Sequence, residues 1–511
     1  MSDDPSVTQQ TEEEFQAAMP ISGTVDTFFG GFELDHSFPT AETADQIYDL
    51  MDHQRAAQLY LWGLPLVGMT RWFTAYQESY ESFDYNTLVS VRTFNERRGI
   101  LTANETTDYL FGFSDTREAA AILEIPGGAS LNDLTSGRPG ATMVGMIVNM
   151  WQESPSDVGI FGPNRGGGGK HVIVGPNTPP EAVPEPGDGV LVHRIESDRV
   201  MYVLRAIGGP AEVEELNGKL RVYNYGQDPS IHIIDGEDKF TAQYQPRGLA
   251  FWEMLHRGIN DEVVQERDRH FMYWLRTLGI EKGKPFEPNE RQRRILEDGA
   301  KVGEVMAKTL VYNERLDGVL RQNNWRFILG GDWGDGIKHT QRMRDYDIFD
   351  PRARYTYEAV TTSPAMTIPR PGTAQAYLGK FEDEDMGRLH GAERYVIRIE
   401  GPVPAALFWS MVIYDADTRC VIDNRHGPAG GKATVGSRTP GVRENDDGSY
   451  YVLLGPDPAP EGWEANYVQT LPGRGWFPYL RAYGAEASFF DGTYRYPTVN
   501  KVDDFGDVVG Q

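Results

Sequence analysis

The sequence predicts a mainly β protein with a helical segment in its middle. Three observations lead there. Short apolar runs alternate with turn residues between about Tyr85 and Ile207, helical period takes over between about Gly248 and Leu329, and the strand pattern returns from about Ala353. At 511 residues the chain exceeds one ordinary core, so several domains are expected. The expected parts are an acidic tail over 1–40, an N-terminal helix plus β-sandwich over 41–232, a helical region over 233–350 and a C-terminal β domain over 351–511.

The tail reading rests on charge: Asp3, Asp4, Glu12, Glu13 and Glu14 precede any Lys or Arg, the first being Arg55. Thr43 and Gln46 then have capping-box spacing, and Ile47, Leu50, Met51, Ala57 and Leu61 recur near helical period until Gly63-Leu64-Pro65 ends or bends the helix. Tyr109–Phe113, Met143–Met150, His171–Val174, Val190–Ile195 and Val200–Ile207 read as strands. Loops rich in Gly and Pro separate them, and no crossover spacing is present, so a sandwich or barrel is expected. Asn260 has the character of an N-cap for a helix with apolar Val264, Phe271, Trp274, Leu275 and Leu278. Asn289 has the same character before Ile295, Val302, Val305, Met306 and Leu310. The glycines around Gly330-Gly331-Asp332 and Gly334-Asp335-Gly336 close the helical part as a loop, and Tyr395–Ile399, Leu407–Tyr414, Ser449–Leu454 and Phe477–Tyr483 are strand-like.

A formal net charge of -26 repels phosphate backbones, which disfavours nucleic acid as a partner. The single cysteine, Cys420, excludes an intrachain disulfide, and no apolar run approaches the ~20 residues of a membrane span. Met1-Ser2-Asp3-Asp4-Pro5 has no signal-peptide character, so the expected compartment is cytoplasmic, or periplasmic or extracellular if a leader has been removed.

Most motifs fail on chemistry. Gly166–Gly169 before Lys170 lacks the first glycine and the hydroxyl of a phosphate loop and runs into a strand. No G-x-G-x-x-G opens a helix, so no nucleotide cofactor is expected. Gly112-Phe113-Ser114-Asp115-Thr116 lacks the last glycine of a nucleophile elbow. His171, His193 and His232 lie on three strand-like runs and form an imidazole cup for a metal only if all face one way; satisfied or exposed single histidines are the favoured reading.

Gln58-Leu59-Tyr60-Leu61-Trp62-Gly63-Leu64-Pro65, Asn104-Glu105-Thr106-Thr107-Asp108-Tyr109 and Glu124-Ile125-Pro126 resemble the family called "domain of unknown function 1254". Phe408-Trp409-Ser410-Met411-Val412-Ile413-Tyr414-Asp415, Asn424-Arg425, Asp447-Gly448-Ser449 and Leu480-Arg481-Ala482-Tyr483-Gly484 resemble its C-terminal partner, "domain of unknown function 1214". The resemblance implies an N-terminal β-sandwich, a helical connector, a C-terminal jelly-roll-like sandwich and association into homo-oligomers. It brings no reaction.

Alternation along Leu407–Tyr414 places Phe408, Ser410, Val412 and Tyr414 on one face, which borders a cleft, and Leu407, Trp409, Met411 and Ile413 on a core face. Two functional readings follow. The first is cofactor-free hydrolysis or elimination on a small organic molecule held between domains. In it Asp108 or Asp415 is the base, Arg425 or Arg481 the anion clamp, and Tyr414 or His426 the proton donor. The second is a non-catalytic protein that binds carbohydrate or another small molecule by stacking on exposed Trp463, Tyr467 and Trp476.

Overall fold

The longest element begins with a hydroxyl. In the computed structural model Thr40 Oγ1 accepts from Thr43 N at 3.2 Å and caps a helix that runs from Ala41 to Ser79. The structure describes residues 10–313, 315, 321–328, 342, 345–360, 362–367, 371–372, 375–427 and 430–509. The cap is therefore Thr40, and the helix continues straight through Pro65, where the sequence suggested an end or bend. Proline forfeits a backbone bond and costs about 3 kcal/mol in a solvated helix. Here every residue from Leu59 to Thr70 is buried, and that packing outweighs the local cost. The Pro65 carbonyl also accepts from Gln152 Nε2 at 3.1 Å.

Other helices pack around this one. Glu290–Tyr312 is capped by Asn289 as expected, and its glycines make the contact: a Cβ on Gly299 would sit 2.3 Å from Ala56 Cβ, and one on Gly303 2.4 Å from Tyr60 Cβ. Val302 and Val305 face solvent, however, so they are not part of its apolar face. Asn260 caps nothing. It ends the helix Leu249–Asp261 and its amide binds the His256 carbonyl and the Gly283 N–H, while Arg269–Thr277 starts after a short 3-10 turn. Phe349–Glu358, where strand pattern was expected to resume, is a helix against the long one. The glycine-rich loop expected at Gly330–Gly336 lies outside the described residues.

The β structure forms two pairs of sheets. In the N-terminal pair a six-stranded sheet has the order 232–235, 87–91, 109–115, 199–208, 141–149 and 156–159, and a four-stranded sheet has the order 190–194, 169–174, 121–125 and 221–224. Leu88, Leu110, Ile147, Tyr202 and Leu204 from the first close on Leu123, Ile125, Ile173 and Val222 from the second. The C-terminal pair repeats the plan. Its six strands are 321–322, 325–327, 375–379, 476–485, 405–415 and 434–436, and its four are 467–469, 450–455, 394–399 and 498–502. Strands and helices both contribute heavily, with the helical segment in the middle as expected.

The expected tail is structured over its described part. Glu12–Ala17 is a short helix, and Gly23–Thr27, Gly30–Asp35 and Phe38–Pro39 form a three-stranded sheet, largely exposed. Among the described residues no helix is long and apolar enough to cross a membrane.

Two predictions follow from this packing. Gly303→Leu drives a side chain into Tyr60 and is expected to destabilise the fold by at least about 1–3 kcal/mol, read as a lower unfolding midpoint. An unchanged midpoint would mean the helices do not touch there. Asp157 accepts from Ala365 N at 2.8 Å, yet burial raises its carboxyl to about 6. The folded value lies above the unfolded one, so the stability linked to this proton is full below about pH 4 and lost as pH rises through about 6. Asp157→Asn should therefore stabilise the protein by up to about 3 kcal/mol at pH 8 and by little at pH 4 in paired melting curves. Equal shifts at both pH values would contradict this.

Candidate functional site

Each six-stranded sheet turns one face to its four-stranded partner and the other toward its counterpart in the second half of the chain. Side-chain alternation selects what meets there. On Arg199–Gly208, Tyr202 and Leu204 point into the N-terminal core, which leaves Val203 and Arg205 on the opposite face beside Phe111 and Met146. On Trp476–Ala485, Tyr479, Arg481 and Tyr483 share a face, in register with Val412, Ser410 and Phe408 on one neighbour and with Gly379, Tyr377 and Gln375 on the other. The face expected to border a cleft does not line the cavity: Phe408, Ser410, Val412 and Tyr414 are all buried, beside the strand that does.

Between the sheets lies a cavity of about 90 Å³. Trp72 of the long helix, the segment Ile100–Asn104, Tyr109, Phe111, Val203 and Arg205 line one side. Tyr355, Ala359 and Met366 of the connecting segment, with Tyr377, Tyr479 and Arg481, line the other. Apolar and aromatic groups dominate, with two guanidiniums among them.

Arg481 is buried. It donates through Nη1 to the Tyr414 hydroxyl and through Nη2 to the Thr102 carbonyl at 2.7 Å, and its guanidinium lies 5.3 to 5.5 Å from the ring centres of Tyr377, Tyr414 and Tyr479. Thr102 holds a positive φ of 42°, a costly conformation for a β-branched residue, and its carbonyl is what Arg481 binds. Arg205 donates to Gln375 Oε1 at 3.2 Å and stands 5.3 Å from the Tyr109 ring centre and 6.0 Å from that of Tyr483. No carboxylate among the described residues pairs with either arginine; carbonyl, amide, hydroxyl and ring faces are their partners. Burial pushes the phenols of Tyr377, Tyr414 and Tyr479 upward, so all three rings are neutral near pH 7. The Tyr479 hydroxyl donates to Glu358 Oε1.

The segment 98–105 fastens the two halves around this cavity. Arg98 reaches Asp423 at 2.7 Å, Thr102 N donates to the Arg419 carbonyl at 2.7 Å, and Asn104 Nδ2 donates to the Tyr483 hydroxyl. The Glu105 carboxylate accepts from Ala433 N at 3.1 Å and Thr434 Oγ1 at 2.5 Å. Tyr414 donates to the Ala103 carbonyl at 2.6 Å.

Of the sequence candidates, only Tyr414 and Arg481 meet. Arg481 lines the cavity, and Tyr414 stands behind it as a fastener. Asp108 is exposed, pairs with Arg97 at 3.1 Å and borders a separate open groove. Asp415 is a structural clamp: it takes Arg474 Nε and Nη2 at 2.6 and 2.7 Å and caps Asp417 N and Thr418 N at 2.9 Å. Arg425 and His426 are exposed, with Arg425 against Asp423 at 3.1 Å. The proposed base and proton donors therefore do not converge.

The imidazole cup does not form. His171 Nδ1 and His193 Nε2 share a hydrogen bond at 2.9 Å with rings nearly parallel, and burial lowers both to about 4. His232 stands apart on the edge strand of the other N-terminal sheet. Among the described residues no three potential ligands gather for a metal. Trp463, Tyr467 and Trp476 are buried, which removes the stacking surface that the carbohydrate reading needed. Sequence reasoning missed Arg205, Tyr377 and Tyr479. The available signal was a charged residue inside an otherwise apolar strand, Val200–Ile207, on the face away from Tyr202 and Leu204.

Residues 85–224 match the family described as "Protein of unknown function (DUF1254)", and residues 374–487 match "Protein of unknown function (DUF1214)". No curated protein matches the chain. The crystal structure of the VPA0106 protein from Vibrio parahaemolyticus is similar in fold, with a TM-score of 0.51 at 17% identity over 88% of this chain and 100% of that one. A putative uncharacterized protein from Burkholderia cenocepacia matches at a TM-score of 0.40 and 13% identity, over 89% of this chain and 96% of that one. The chain carries the two families of unknown function in tandem, DUF1254 followed by DUF1214.

Proposed function

We propose that the chain binds a small organic molecule in the cavity between its two six-stranded sheets. One observation carries the reading. An aromatic-walled space with few, convergent polar groups is built jointly by Ile100–Asn104, Tyr109 and Arg205 of the DUF1254 match and by Tyr377, Tyr479 and Arg481 of the DUF1214 match. Enclosed apolar walls with a few placed donors are the usual form of a small-molecule site.

Hydrolysis or elimination finds less support. Asp108, Asp415, Arg425 and His426 all lie away from the cavity, in an ion pair, a clamp or on the surface. Among the phenols that line the space, Tyr479 is the one whose hydroxyl donates to a carboxylate, Glu358, and this favours proton transfer there as the second reading. A step of that kind requires the ligand's reacting atom beside Tyr479.

Filling the space separates binding from fold. Ala359→Phe and Val203→Phe each place a ring in the cavity. Ligand-observed NMR with neutral and charged molecules of about three to six non-hydrogen atoms should show binding to the wild type. Both variants should lose it while keeping a cooperative melt. Full binding by the filled variants would refute the site. Tyr479→Phe should leave binding nearly intact, a change of less than about fivefold, because its hydroxyl is already spent on Glu358 and a single further hydrogen bond contributes about 1 kcal/mol or less; a complete loss would assign Tyr479 to ligand recognition.

A further inference from the structure

We propose that the cavity's ligand is an organic anion of the short-chain carboxylate class, its charge held by Arg481 and Arg205; this rests on the binding reading above. Two guanidiniums stand on the central strands of opposed sheets and line the same space, Arg481 buried and Arg205 half-buried. Removing a guanidinium from water is costly unless an anion or a full set of acceptors replaces the water. Neither condition is met by the described residues. Among the described residues Arg481 uses one carbonyl and one hydroxyl, and Arg205 one amide oxygen and the Tyr483 hydroxyl, against five N–H donors on each. The surrounding phenols are held neutral by burial, so they supply ring faces and not charge.

The remaining wall sets the rest of the class. Besides the two guanidiniums the lining holds no charged group, and Phe111, Val203 and Ala359 offer only ring and aliphatic surface beside the single indole N–H of Trp72, so the ligand carries one anionic head and a largely apolar remainder. A planar guanidinium fork matches a carboxylate's two oxygens. The volume of about 90 Å³ is well below the ~150 Å³ of a cavity that takes benzene, which points to a short aliphatic acid and not an aromatic one.

Titration calorimetry with isobutyrate and isobutyramide isolates the charge, because the two have nearly the same shape. The acid should bind the wild-type chain at least about tenfold more tightly than the amide. Arg205→Gln, which removes no ion pair, should erase the difference without loss of fold; Arg481→Gln should do the same if the protein still melts cooperatively. Equal binding of acid and amide would overturn the anion inference and leave the cavity reading standing. Binding of neither compound, nor of any other small molecule, would overturn both. Benzoate tighter than isobutyrate, or inorganic phosphate bound where isobutyrate is not, would overturn the short-chain carboxylate class.

Discussion

Two positive charges face each other across the middle of the molecule, and the fold arranges itself around them. Arg205 and Arg481 come from strands at the centre of separate sheets, where neighbouring strands on both sides keep their backbones from moving. Their neutralisation by π faces, a strained carbonyl and two side-chain oxygens is partial. Each added partner is fixed in turn: Tyr414 by Ala103, Gln375 by Tyr377, and Tyr483 by Asn104. Among the described residues no carboxylate completes this set, so the partners seen leave the space between the sheets with net positive character.

The rest of the structure holds this space open at a fixed width. The long helix puts Trp72 in the wall and continues past Pro65, where its neighbours bury it all round. Gly299 and Gly303 let the helix Glu290–Tyr312 approach the long helix closely at Ala56 and Tyr60. Segment 98–105 then ties the halves together through Asp423, Thr434, Tyr483 and Arg481. Much of that segment's polarity is consumed in fastening.

Architecture was more legible than chemistry. Alternation is local, so the strands around Tyr109, Val200, Leu407 and Phe477 could be read from residue types alone. Pro65 misled because its cost is local while the compensating burial comes from helices more than a hundred residues away. Phe349–Glu358 misled for a similar reason: its alternating Tyr355 and Tyr357 suit a strand, and only its packing against the long helix decides for helix. Site residues depended on partners that sequence does not display. Asp415 beside Tyr414 had the composition of an acid–base pair until Arg474, far along the chain, took both of its oxygens. Arg481 reads as an anion clamp from its place near a strand end, whereas it stands within the strand Trp476–Ala485 and is buried. Arg205 also stands within its strand, Arg199–Gly208.

The central claim is that uncompensated positive charge borders a space between the two sheets. Bromide is the smallest probe of it, carrying charge and no shape. Crystals soaked in bromide and measured at its absorption edge would report its position directly by anomalous scattering. The account predicts a peak within hydrogen-bond reach of the Arg481 and Arg205 guanidinium nitrogens. Bromide confined to the surface, with a carboxylate side chain of this same chain resting on both guanidiniums, would contradict it.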